Sequence, residues 1–179
     1  MAIRPDAGWA AVPDGVSSHG TVKGAMPLRR HATADDLRLV ASWLTSPRDC
    51  ELWAGRRVRY PIDVDALPSA LQFDAAISMV LVDPDARVVA FGQIVLKDGG
   101  RGHLARLIVD PRRRRNGYGE ALVSALLDRA SGESFVRVSL NVDEANAPAI
   151  ALYEKLGFRD APRPSDEPTA GGIRYLECC

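Results

Sequence analysis

The sequence predicts an α/β fold with a mixed sheet, and two patterns carry that expectation. Residues 77–83 and 87–96 are apolar, β-branched runs separated by Asp83-Pro84-Asp85-Ala86, which is a hairpin signal. Residues 103–156 then read strand, helix, strand, helix, a unit that joins parallel strands through a right-handed crossover. At 179 residues the chain suits one domain with a good core.

The elements follow in order. Residues 28–32 form a first strand. Thr33 suits the N-cap of a helix over 35–44, whose first turn is acidic, as the helix dipole favours. Residues 45–72, with prolines at 47, 61 and 68 and scattered aromatics, predict short helices and loops without fixing them. The hairpin comes next, then a strand over 103–109 ended by Asp110-Pro111. The helix after Gly117 has apolar residues at 118, 122, 125 and 126 and a stop at Ser131-Gly132. Residues 135–142 alternate as a buried strand does. A second helix runs from about 147 to 156, with Asn146 as N-cap, Pro148 in the first turn and Gly157 at its end. Residues 173–178 are a last strand. Residues 1–26, rich in Gly, Pro, Ser and Ala, read as a flexible tail before a domain over 27–179.

Composition narrows the function classes. Apolar residues make up 46% and charged residues 26%, as in ordinary globular proteins. The longest apolar run, 77–82, is too short to span a bilayer, and the first 25 residues lack the apolar centre of a secretory signal. Cys50, Cys178 and Cys179 show neither metal-ligand spacing nor a disulfide framework, so a reduced, cytoplasmic protein without a metal is expected. Zero formal net charge argues against a general binder of nucleic acid or anionic membranes. Lysine occurs only at 23, 97 and 155, so the abundance of arginine is largely compositional bias.

The stretch Val109-Asp110-Pro111-Arg112-Arg113-Arg114-Arg115-Asn116-Gly117-Tyr118-Gly119 carries the chemistry. A helix N-terminus offers unpaired N–H groups and the positive end of the helix dipole. Glycines there let a bulky anion approach without meeting a Cβ. With four arginines around it, the implied ligand is a phosphate or pyrophosphate. Neither G-x-G-x-x-G nor G-x-x-x-x-G-K-[ST] occurs, which removes the dinucleotide fold and the P-loop.

Arg114-x-x-Gly117-x-Gly119 after Val109-x-Pro111 resembles the pyrophosphate loop of the GNAT superfamily, the acyl-CoA-dependent N-acyltransferases. Asn146-x-Pro148-Ala149 followed by Leu152-Tyr153-x-x-Leu156-Gly157-Phe158 is similar to the helix that comes later in that family. The resemblance is strong over about 86–160, and Arg115 stands where many members have Gly. It implies a GNAT fold: a mixed, mostly antiparallel sheet with one splayed parallel pair and helices on both faces. It implies acetyl-CoA as cosubstrate. Arg114, Arg115, Asn116, Gly117, Tyr118 and Gly119 would hold its pyrophosphate, the main chain of Leu107, Ile108 and Val109 its pantetheine amides, and Asn146 its arm. Asn146 and Tyr153 lie seven residues apart, about 10 Å along one helix face, so both could line one extended ligand.

The implied reaction is acetyl transfer to a primary amine by direct attack, with Tyr153 as general acid toward the departing thiolate. His103 falls where some members carry a glutamate base, and an unperturbed histidine titrates near 6.5. A structural histidine remains the alternative, as does a core aromatic for Tyr153, a solvated turn for the arginines and core packing for Trp43, Trp53, Tyr60 and Phe73. A catalytically silent CoA-binding module, a longer acyl donor and acylation of protein amino groups stay open as functions. Many family members are homodimers, and no feature here decides that state.

Overall fold

The structure, a computed structural model, describes residues 27–133, 135–165, 167 and 171–178. The expected tail, residues 1–26, and Cys179 lie outside them. Among the described residues one sheet holds β1 (Leu28–His31), β2 (Ile77–Val82), β3 (Val88–Lys97), β4 (Arg101–Val109), β5 (Arg137–Asp143), β6 (Arg159–Asp160) and β7 (Ile173–Cys178). Their spatial order is β1-β2-β3-β4-β5-β7-β6, and only β4 and β5 are parallel neighbours. The helices are α1 (Ala34–Ala41), α2 (Pro47–Ala54), α3 (Leu67–Ala70), α4 (Tyr118–Gly132) and α5 (Ala147–Lys155). No helix among the described residues is long and apolar enough to cross a membrane.

Local chemistry explains these elements. Thr33 and Asp36 form a capping box: Asp36 accepts from the Thr33 N–H at 2.7 Å, and Thr33 Oγ1 accepts from the Asp36 N–H at 3.3 Å. Arg30 adds two hydrogen bonds to Asp36, of 2.6 and 2.9 Å, which tie β1 to α1. Within the segment the sequence left open, Ser46 caps α2 by accepting from the Asp49 N–H, with Pro47 in the first turn. The first helix stops at Ala41 rather than 44, and β5 starts at Arg137 rather than 135. Two-residue β6 carries too little pattern to be expected.

Each face of the sheet has its own core. On one, Leu37, Val40, Trp53, Leu67 and Leu71 from the α1–α3 region pack on Val80 and Phe91. On the other, Leu122, Leu126 and Tyr153 of α4 and α5 pack with Met79, Ile94 and Leu140.

The parallel pair is short. It runs from Arg101 opposite Arg137 to Leu104 opposite Leu140 and ends there. Beyond it β4 stays with β3, with Ile108 opposite Phe91 and Val109 opposite Ala90, while β5 stays with β7 as far as Asp143 opposite Ile173. The sheet therefore splays between β4 and β5. Near the parting the β3–β4 register shifts and Arg106 takes a φ of 56°, forming a bulge. The Trp53 indole donates to the Arg106 carbonyl at 2.8 Å, a buried contact. Gly92 faces the same place from β3: a Cβ there would stand 2.7 Å from Leu107 Cδ2 and 2.9 Å from Leu126 Cδ1.

Trp53→Phe should keep the ring and leave the Arg106 carbonyl without its donor. Urea unfolding should show a loss of about 1–3 kcal/mol, the cost of a buried group left unpaired. An unchanged midpoint would mean that the indole does not hold the bulge.

Candidate functional site

Three elements meet where the sheet parts. Past Leu104, β4 has no strand partner on its β5 side, so the segment holding Leu107, Ile108 and Val109 presents main chain to the gap. Unpaired main-chain groups seek partners, and an extended ligand with amide groups can supply them. The loop after β4 forms one end of the gap, and α5 forms one wall.

The loop is shaped by its own backbone. Asp110 accepts from the Arg112 N–H at 2.9 Å, and the chain then passes through left-handed conformations at Arg115 (φ 65°) and Gly117 (φ 80°). Gly117 takes that conformation without the penalty a Cβ brings. It precedes Tyr118, the first residue of α4, and no side chain caps this helix. The N–H groups of the first turn are thus open at the positive end of the dipole. A Cβ on Gly119 would lie 3.5 Å from Leu152 Cδ2 and 3.9 Å from Val109 Cγ2, so its bare backbone sits between α5 and the end of β4.

Arg112, Arg114 and Arg115 are exposed and form no ion pair with a described residue. Arg113 turns back toward Asp83, at 3.6 Å. Asn116 also turns inward: its amide donates to the carbonyls of Arg113 at 3.0 Å and Arg114 at 3.1 Å. The Tyr118 ring packs on the core. Those two side chains shape the loop, which leaves their main chain to meet a ligand.

On α5, Asn146 Oδ1 accepts from the Ala149 N–H at 3.3 Å, which leaves its amide hydrogens free to donate at the helix mouth. Tyr153 is buried, edge-on to Phe158 with ring centroids 5.9 Å apart. Its hydroxyl makes no hydrogen bond to a described residue, and burial pushes its pKa up to about 12. It is a protonated donor at neutral pH.

His103 lies on the paired part of β4, opposite Ser139. Its Nδ1 is 2.9 Å from Ser139 Oγ, and its Nε2 is 3.4 Å from Asn141 Nδ2. An amide N–H facing Nε2 assigns the proton to Nδ1, by the logic of the network. Titration near 6.5 is not what the structure shows. Burial pushes the pKa down; Glu167 raises it and Lys97, Arg101 and Arg106 lower it, leaving it at about 4.

Two charged residues here escaped the sequence. Glu167 is buried with Oε1 3.0 Å from Lys97 Nζ, yet that oxygen receives no aligned hydrogen bond. Arg106 is buried at the bulge, and its Nη1 donates to Gln93 Oε1 at 2.7 Å. The single hint was a cation within the apolar run 104–109.

Known proteins are similar to this chain in sequence and in fold. Residues 40–158 match the model of the Acetyltransferase (GNAT) family. The mycothiol acetyltransferase of Clavibacter michiganensis is 37% identical over 99 residues, which cover 55% of this chain and 32% of that protein. The [ribosomal protein bS18]-alanine N-acetyltransferase of Salmonella typhimurium is 41% identical over 91 residues, or 49% of this chain and 60% of that one. The chain thus spans about a third to three fifths of these relatives. A solved spermidine N-acetyltransferase from Vibrio cholerae, in complex with CoA and spermine, superposes with a TM-score of 0.68 at 17% identity. It covers 85% of this chain and 94% of that chain, a likeness of fold.

Acetyl-CoA should raise the melting temperature, because it binds the native state alone. Gly119→Val, whose branches crowd Leu152 and Val109, should lose most of that rise while Gly119→Ala keeps part of it. Equal shifts in wild type and Gly119→Val would place binding elsewhere.

Proposed function

The chain belongs to the GNAT acetyltransferase family, and from that premise we propose that it transfers an acetyl group from acetyl-CoA to a primary amine. The observation that carries this is the parting of β4 from β5 beside the uncapped start of α4. Bound acetyl-CoA supplies the acetyl group as an activated thioester. The open N–H groups of Tyr118 and Gly119, with Arg114 and Arg115, would hold its pyrophosphate. The main chain of Leu107, Ile108 and Val109 would pair with the pantetheine amides, and Asn146 would donate to the same arm.

The chemistry then falls to few groups. A main-chain N–H near Leu107 or Ile108 receives the oxyanion as the amine attacks. His103 Nε2, on releasing the Asn141 amide, would accept the amine proton, directly or through water, once attack has made that nitrogen acidic. Tyr153 gives its proton to the thiolate sulfur as the tetrahedral intermediate collapses. A protein amino group as acceptor is a second reading, favoured by the similarity to the bS18-alanine enzymes. An amine panel that follows thiol release from acetyl-CoA tests the function. Acetyl-CoA binding with no release across the panel would leave a silent CoA-binding module.

Tyr153→Phe should keep acetyl-CoA affinity, because the ring still packs against Phe158. Its turnover number should fall roughly a hundredfold, the scale of one general acid. A near-normal turnover number would make Tyr153 a core aromatic and solvent the proton donor.

His103 sets the pH dependence. With its pKa at about 4, it is neutral and able to accept a proton throughout the neutral range. The rate, corrected for ionisation of the amine, should show no fall between pH 8 and 5.5, and His103→Ala should lower it about a hundredfold. A wild-type inflection at pH 6–7 would assign the base to another group. Stability has a definite sign too: the depressed pKa favours folding above about 6.5, the unfolded value, and that contribution is lost as pH falls toward 4.

A further inference from the structure

Among the described residues Arg106 is a cation without an acidic partner. The residue is 8% exposed, yet no Asp or Glu among the described residues lies within ion-pair distance of it. A guanidinium carries five N–H donors, and the one hydrogen bond it makes among the described residues goes to the neutral Gln93. Gln93 in turn donates to Ser78 Oγ at 2.8 Å, which fixes the amide so that its oxygen faces Arg106. The charge whose field reaches Arg106 most is Arg57, of the same sign: burial first, and then Arg57, push its pKa down to about 10. A buried cation that lacks a partner is costly, and proteins seldom keep one without a use.

Its place suggests the use. Arg106 is the bulge residue, one position before Leu107, where the proposed acyl-donor gap begins. Its side chain reaches the polar group of Gln93 and Ser78, and its carbonyl is held by Trp53 of α2. The α2 region, with Arg57 just after it, covers this side of the sheet, opposite the side on which α4 packs. The other guanidinium nitrogens are not sealed: among the described residues the one buried side-chain polar atom without a partner is Glu167 Oε1. Those nitrogens therefore keep some contact with solvent.

We propose that Arg106, with Arg57 at the rim, anchors an oxyanion of the acceptor, so that the amine substrate of this site carries a carboxylate. A planar guanidinium matches a carboxylate through two parallel hydrogen bonds. The anion would also relieve the repulsion between the two arginines. The inference rests on the acetyltransferase reading for the chemistry done to the acceptor, and not for the recognition itself.

The test uses matched pairs. Thiol release from saturating acetyl-CoA is measured with free amino acids against their carboxamides, and with O-phosphoethanolamine against ethanolamine. The carboxylate should raise kcat/KM about tenfold to a hundredfold over the carboxamide, the range for hydrogen bonds to charged groups. Arg106→Met should abolish that preference, Arg106→Lys should keep part of it, and Arg57→Ala should weaken it. The acetyl-CoA thermal shift reports folding in each variant, and Arg106→Lys and Arg57→Ala decide the matter if Arg106→Met does not fold. Calorimetry of the same pairs on CoA-loaded protein reads recognition without turnover. Amino acids that bind through Arg106 but are never acetylated would overturn the acetyltransferase reading and leave the anchor standing. Equal treatment of acid and amide in both assays, a preference that survives in Arg106→Met, or a preference for the amino phosphate over the amino acids would overturn the carboxylate anchor.

Discussion

At Arg106 a bulge carries β4 out of the sheet's regular register. A parallel neighbour satisfies β4 as far as Leu104, and a sheet that continued in register would bury the main chain of residues 105–109 against β5. The extra residue turns β4 away from β5 while keeping it on β3, where Ile108 and Val109 pair again. Such a defect needs support from both faces. Trp53 supplies it on one side by a hydrogen bond to the bulge carbonyl, and Gly92 supplies it on the other by leaving room for Leu107 and Leu126. Two separate hydrophobic cores thus converge on one backbone irregularity.

That irregularity divides the electrostatics as well. Exposed cations and open N–H groups lie on the loop and the first turn of α4, where water screens charge and a large anion can arrive and leave. Groups that would move protons are buried instead. Tyr153 is held protonated and His103 neutral, each by the same desolvation acting on opposite charge types. In the proposed reaction both the proton donor and the proton acceptor are neutral before attack.

What could be read beforehand follows from the range of the interactions involved. The glycine loop, the Asn146 cap and the hairpin depend on neighbours a few residues apart, so their pattern lies in the sequence itself. The splay was expected through resemblance, and its location at Leu104 came with the structure. Arg106 was hidden because its meaning depends on Gln93, thirteen residues earlier, and on a register shift that no local pattern reports. Glu167 was hidden for the same reason: its neighbours Lys97 and His103 lie on β3 and β4, more than sixty residues earlier. His103 was seen, but its burial was not, and burial is what moves its pKa. Helix α2 was present as Ser46-Pro47 with Asp49 three residues after the cap, a signal obscured by further prolines at 61 and 68.

The two faces of the sheet also explain why relatives with different acceptors can share one scaffold. The donor gap is built from main chain and a helix start, whose geometry is fixed by fold and glycine placement and hardly by side-chain identity. The α1–α3 face is built from side chains, apolar in its core and polar at Arg106, Gln93 and Ser78. Arg106 belongs to both, because its backbone makes the bulge and its side chain lies on the α1–α3 side. The bulge is held through the Arg106 carbonyl and Trp53, so its support does not depend on that side chain. On the proposed reading, the acyl donor meets main chain and a helix start, and the acceptor meets side chains on the opposite face.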